Sequence, residues 1–208
     1  MDIQEAQSRL ATETSLKYVE EVDADKIDSL TFLRYVSKNQ PFIVKNGIKE
    51  WDAYKKWEVD YLSARLSDSE ITIAVTPLGN ADSAVGEYFV LPEEKKMSFG
   101  HFILNLEKNN DQIHYLQSQN DNLSQDVFAA IRKDVPESIE FASEALDAKP
   151  DAVNLWIGNE KSTTSMHKDH YENLYAVVRE CKIFTLYPPN YYPFLQGRGY
   201  FPKRKKRY

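Results

Sequence analysis

Apolar positions recur along this chain with two periods, near 3.6 in some stretches and near 2 in others, and each change of period marks a change of element. Ile3, Ala6, Leu10 and Ala11 sit among charges in Asp2–Lys17 and predict a weakly amphipathic helix. Asp28 or Ser29 is placed to cap a second helix, with Leu30, Leu33 and Val36 as its inner stripe. Pro41–Val44 predicts a short strand closed by an Asn46-Gly47 turn, and Trp51 and Trp57 flank a helical segment leading to Tyr61, Leu62 and Leu66. Both indoles are expected in the core. Ile71–Val75 predicts a strand, Thr76–Asp82 a long polar turn and Glu87–Leu91 a further strand. Ser98 opens a helix with Phe99, Phe102, Ile103 and Leu106 at helical spacing, and Ile113–Gln117 predicts the next strand. Ser124 starts a helix carrying Val127, Phe128 and Ile131, which Pro136 separates from another around Ile139, Phe141 and Leu146.

In the last third, Val153–Gly158 predicts a buried strand ended by a glycine turn. Leu174–Val178 and Ile183–Tyr187 predict two strands around Arg179-Glu180-Cys181, the second stopped by Pro188-Pro189. Between them lies His167-Lys168-Asp169. In an extended chain, residues two apart project to one side, so an imidazole and a carboxylate face one spot. They form the sequence-local half of a two-His-one-carboxylate triad, which holds a non-haem ferrous ion. Lys182 is a suitable counter-charge for a dicarboxylate, and Thr164 offers the same anion a hydroxyl.

Taken in order, Pro41-Phe42-Ile43-Val44, Trp51 to Trp57, Thr76–Asp82, Ile113–Gln117, Trp156-Ile157-Gly158, Thr164–Tyr175, Lys182 and Pro188-Pro189 resemble the cupin-type JmjC hydroxylases, from about Ser29 to Phe194. The resemblance implies an α+β fold, with N-terminal helices and strands leading into a double-stranded β-helix, here incomplete, as one domain over 1–208. It implies Fe(II), 2-oxoglutarate as co-substrate, and O2. By position, His167 and Asp169 would bind iron, and Tyr115, Thr164, Asn173, Tyr175 and Lys182 would hold 2-oxoglutarate. The implied reaction is hydroxylation of a lysine in a protein substrate of the developmentally regulated GTP-binding family. An endopeptidase activity on histone tails is the family's alternative, and a homodimer stays open.

The departures from that pattern matter equally. The family's second iron His comes from a strand well beyond the Pro-Pro pair, whereas the 26 residues after Lys182 contain no His, Asp or Glu. His170, three past His167, points to the opposite face of a strand, and His101 and His114 are expected on a helix surface and in a strand. Glu180 stands where the family has a hairpin glycine, a place that a turn with positive φ would resist filling. Three readings follow: a lysyl hydroxylase, a catalytically inactive truncated form acting as a binding or dominant-negative module, and a poorly folding fragment with unpaired strand edges. The tail from residue 195 diverges and ends in Lys203–Arg207, five consecutive positive charges. It reads as a nuclear-import signal, a phosphate-binding patch, a solvated run or an out-of-family ending.

Composition narrows the class. The 208 residues are 42% hydrophobic and 12% aromatic, enough for a core. A net charge of −6 argues against nucleic-acid binding by the body of the protein. No apolar run approaches a membrane span, and the N-terminus lacks the layout of a signal peptide. The single cysteine, Cys181, rules out an internal disulfide framework and fits a reducing compartment, so cytoplasm or nucleus is expected.

Overall fold

The computed structural model describes residues 2–14, 18–85, 88–108 and 112–194. In chain order they form α1 (Ile3–Thr14), β1 (Glu20–Asp23), α2 (Ser29–Ser37), β2 (Phe42–Lys45), α3 (Asp52–Lys56), α4 (Val59–Leu66), β3 (Glu70–Thr76) and β4 (Asn80–Ala81). There follow β5 (Ser83–Val85), β6 (Tyr88–Val90), β7 (Glu93–Ser98), α5 (Phe99–Glu107), β8 (Ile113–Tyr115), α6 (Ala129–Arg132), α7 (Glu140–Leu146) and β9 (Thr163–Thr164). Short 3-10 turns lie at Asn122–Ser124, Asp126–Phe128 and Pro189–Phe194. The expected end of the first helix at residues 15–17, Glu87 of the expected third strand and the basic tail lie outside the described residues. No described helix is long and apolar enough to cross a membrane. The described residues divide into two compact units, the first drawn from 1–50, 138–149 and 172–194, the second from 51–137 and 150–171.

In the first unit, Asp28 caps α2 by accepting a hydrogen bond from the Thr31 amide at 2.7 Å. Hydrogen bonds from the Thr31 side chain and amide hold the Asp28 carboxyl below the usual carboxylate range. The inner face of α2 is not the expected stripe, because Leu30 and Leu33 are exposed and Phe32 is buried. The partners decide this. The Phe42 and Phe141 rings lie 6.1 and 5.4 Å from Phe32, and Tyr35, one turn on, stacks on Phe42 at 4.1 Å. β1 and β2 pair in parallel from Glu20↔Phe42 to Asp23↔Lys45. Asn46 turns the chain after β2 with φ 65° and donates to the Asp23 carboxylate at 3.0 Å.

The expected strands at Leu174–Val178 and Ile183–Tyr187 do not form: residues 172–188 run as irregular chain. A strand exists through its ladder, and among the described residues no ladder reaches these backbones. Glu180 does adopt the turn conformation expected to resist it, with φ 58°.

The second unit is built on an antiparallel sheet ordered β7-β3-β8. Along β3, Ile71, Ile73, Ala74, Val75 and Thr76 are buried, and α5 adds Phe99 and Phe102, both 0% exposed. Ser98 caps α5 through the His101 amide at 3.3 Å. β7, Glu-Glu-Lys-Lys-Met-Ser, escapes a hydrophobic-period reading because it is an edge strand. Charge there blocks further pairing, and Lys96 meets Glu70 across the ladder at 3.1 Å.

The helix expected from Ser124 is instead two 3-10 turns and the single-turn α6. The buried Asp134 carboxylate just beyond it accepts from the Trp57 indole at 2.9 Å and the Tyr61 hydroxyl at 2.8 Å. Burial and this bond push the Tyr61 phenol upward. Among the described residues, the expected strand at Val153–Gly158 makes only the bridge Leu116↔Ile157. Upstream of that bridge, the buried Asn122 amide takes the place of a neighbouring strand. It donates to the Leu155 carbonyl at 2.9 Å and accepts from the Leu155 amide at 2.6 Å.

Candidate functional site

The expected polar turn Thr76–Asp82 is more ordered than its composition suggests, and its order places the site. Gly79 has φ 85°, and the Lys161 carbonyl passes where a side chain would begin. Its amide donates to Thr76 Oγ1 at 2.9 Å and its carbonyl accepts from the Thr163 amide at 3.0 Å. Asn80↔Thr163 and Ala81↔Thr164 then pair in parallel, so Thr164 is held by β4. Tyr115, buried on β8, sets its ring 5.9 Å from Trp156, and a Cβ on Gly158 would collide with the Tyr115 ring and the Ser162 hydroxyl. A glycine is needed there for close approach.

Thr164 Oγ1 is buried and makes no hydrogen bond. Such a group costs free energy unless a ligand or water meets it. Three residues on, His167 Nδ1 lies 2.8 Å from the Ser165 carbonyl. A carbonyl only accepts, so Nδ1 carries the proton in that bond, and in the neutral ring Nε2 keeps its lone pair. Nε2 faces Asp169 Oδ2 at 3.6 Å. A proton on Nε2 makes this an ion pair and a metal ion would satisfy both groups as well; a metal-ligating His typically donates its other N–H to a carbonyl in this way. The stretch from Ser165 to Asp169 is irregular chain and not a strand. It brings the two side chains to one side all the same.

The pair fits two positions of an iron triad, and the orphaned Thr164 hydroxyl fits an anion. Among the described residues no three His, Cys, Asp or Glu side chains converge closely enough to hold a metal ion. His170 and His101 are exposed, the latter on α5. His114 is buried in β8, its Nδ1 without a partner, and burial pulls its pKa down. Asn173, Tyr175 and Lys182 belong to the first unit, where the Tyr175 ring lies 4.9 Å from Phe184 and burial pushes its phenol upward.

One side chain was not singled out by the sequence. Asp82, inside the polar turn, ends β4 in the left-handed region with φ 52°, and its half-buried carboxyl lies near enough to His167 for the imidazole to act on it. Desolvation pushes its pKa up, Glu94 adds to the rise, and His167 opposes it. Nothing in a run of small and polar residues marks one carboxylate as the one beside the His-X-Asp pair.

Mixed helices and short strands around a His-X-Asp pair define an α+β protein of the cupin class. The chain belongs to the family of cupin-like domains, which it matches over residues 28–207, and within it to the JmjC proteins. It is 39% identical over 208 residues to "JmjC domain-containing protein E" of Dictyostelium discoideum, covering 92% of this chain and 57% of that one. It is 38% identical over 171 residues to the human "Bifunctional peptidase and (3S)-lysyl hydroxylase JMJD7", covering 81% of this chain and 54% of the relative. With the "Lysine-specific demethylase JMJ32" of Arabidopsis thaliana it shares 39% identity over 176 residues, 79% of this chain and 51% of the relative. The chain thus spans about half the length of the curated relatives it matches. The resemblance drawn from the sequence motifs is borne out.

Proposed function

We propose that this chain carries ligands of an Fe(II)- and 2-oxoglutarate-dependent protein hydroxylase acting on a lysine, in a GTPase-type substrate of the developmentally regulated GTP-binding family. The observation that supports this most is the His167 ring. Its Nδ1 is committed to the Ser165 carbonyl, and its Nε2 is turned toward Asp169. His167 and Asp169 would hold the metal, which when bound supplies oxygen activation coupled to decarboxylation of the 2-oxo acid. The Thr164 hydroxyl donates to an anion beside them, so a charge-assisted bond replaces an unsatisfied group. Tyr115, its ring set against Trp156 and Gly158, would help hold the co-substrate. The assignment of Asn173, Tyr175 and Lys182 to the co-substrate rests on sequence alone.

A second reading, a binding module without turnover, is favoured by the lack of a third converging ligand among the described residues. The experiment that separates them is 2-oxoglutarate decarboxylation by the purified chain with Fe(II) in air, with mass spectrometry of a lysine peptide for a gained oxygen. Turnover that His167→Ala abolishes supports the hydroxylase. Binding of metal and 2-oxoglutarate without decarboxylation establishes the second reading.

A further inference from the structure

We infer that Thr76 is a positioning residue for the metal pair: through the Gly79 turn, its hydroxyl sets the course of the chain that carries His167 and Asp169. The inference rests on the reading of that pair as a metal site and adds what fixes it to the sheet. At the end of β3, Thr76 is 6% exposed and pairs with Ile113 of β8. A buried threonine must give its hydroxyl a partner, and its branched Cβ leaves few rotamers in which to do so. Here the oxygen accepts from the Gly79 amide at 2.9 Å, which fixes the turn three residues on. Gly79 in turn holds the second chain. Its carbonyl accepts from the Thr163 amide at 3.0 Å, and the two backbones run so close that a Cβ on Gly79 would fall 1.9 Å from the Lys161 carbonyl oxygen.

The turn at 159–162 has bonds of its own. The Asn159 amide donates to Ser162 Oγ at 3.2 Å, the Ser162 amide to the Asn159 carbonyl at 3.0 Å and the Lys161 amide to Asn159 Oδ1 at 3.1 Å. These bonds shape the turn without setting its place on the sheet. That place is fixed on either side of it, by the bridge Leu116↔Ile157 before and by Gly79–Thr163 with the β4–β9 pair after. The second anchor is the one beside the site. Thr164 and Ser165 follow it directly, and the Ser165 carbonyl is the group 2.8 Å from His167 Nδ1. A shift of the Thr163 backbone therefore moves the carbonyl that orients the imidazole. Groups that orient a metal ligand control its affinity from outside the coordination sphere, and Thr76 acts behind them. Without its oxygen the Gly79 amide is left buried and unpaired, and the turn relaxes toward another partner.

The test uses the full 208-residue chain, with Mn(II) binding followed by electron paramagnetic resonance and exchange of the Thr163 amide followed by NMR. Thr76→Val keeps the branched shape and the strand preference and lacks the acceptor, whereas Thr76→Ser retains the oxygen. Thr76→Val is expected to bind Mn(II) about tenfold more weakly, the lower end of what disrupted outer partners of a metal ligand cost, and to exchange the Thr163 amide faster. Thr76→Ser is expected to recover both. Phe102→Ala separates position from stability: it is a core substitution, and well below its melting temperature it is expected to bind Mn(II) as the wild type does. Mn(II) affinity unchanged in Thr76→Val, or lost equally in Thr76→Ser or in Phe102→Ala, overturns the proposal. So does a loss of affinity without faster exchange at Thr163, because the hydroxyl acts through that amide. A Thr76→Val chain that does not fold overturns it as well, since the hydroxyl then serves the fold and not the site. A wild-type chain that binds no Mn(II) overturns the metal-pair reading itself, and the proposal with it.

Discussion

Two stretches of this chain are about equally apolar and strand-like in sequence, and they end in opposite states. Ile71–Val75 becomes the centre of the β7-β3-β8 sheet, with Ile73 1% exposed, while Ile183–Tyr187 runs as irregular chain with Ile183 87% exposed. The difference lies in partners. β3 is flanked on both edges, by β7 in a six-residue register and by β8 over Ala74–Thr76, so its backbone is held in a ladder. Residues 183–187 have the pattern but, among the described residues, no neighbouring strand. Apolar alternation states what a segment can bury, and the ladder decides whether it does.

The comparison breaks most visibly in the core. Phe102→Ala removes a ring packed edge-on to Phe99 at 6.1 Å and should cost about 3–5 kcal/mol in urea unfolding. A loss below 1 kcal/mol would mean that this sheet is no better packed than the irregular segment. Asn122→Ala is next, at about 2–3 kcal/mol, because the Leu155 amide and carbonyl lose their substitute strand. Glu180→Gly should raise stability by about 1 kcal/mol, by removing a left-handed glutamate from the turn between the two unpaired runs.

Acid sharpens the contrast from the other side. The buried His114 has its folded pKa below the ordinary value, so it binds a proton more readily once unfolded. Its contribution is therefore fully present above about pH 6.5 and is lost as pH falls below it. His114→Phe should flatten the stability profile in that window. Ile183→Ser should change stability by less than about 0.5 kcal/mol.

Much of the fold was legible because local signals agreed with tertiary ones. Asp28 and Ser98 cap the helices they were expected to cap, and Phe99, Phe102 and Ile103 face inward at helical spacing. What was not legible depended on distant neighbours. Phe32 displaced Leu30 and Leu33 from the inner face because Phe42 and Phe141 wait on its side, and the charged β7 pairs because β3 offers an edge. In the candidate site, spacing alone pointed His167 and Asp169 to one side. The Ser165 carbonyl that sets the His167 tautomer, the orphaned Thr164 hydroxyl and the nearby Asp82 all depend on a parallel β4–β9 pair that no period in the sequence announces.

The central claim is that His167 and Asp169 form a cation-binding pair, with the His167 Nδ1 held by the Ser165 carbonyl and Nε2 turned toward Asp169. Mn(II) binding to the full chain, followed by electron paramagnetic resonance, tests it most directly. The account predicts one bound ion per chain and at least a tenfold loss of affinity, of about the size known for disrupted metal sites, in His167→Ala. Equal binding by wild type and variant, or none by the wild type, would contradict it.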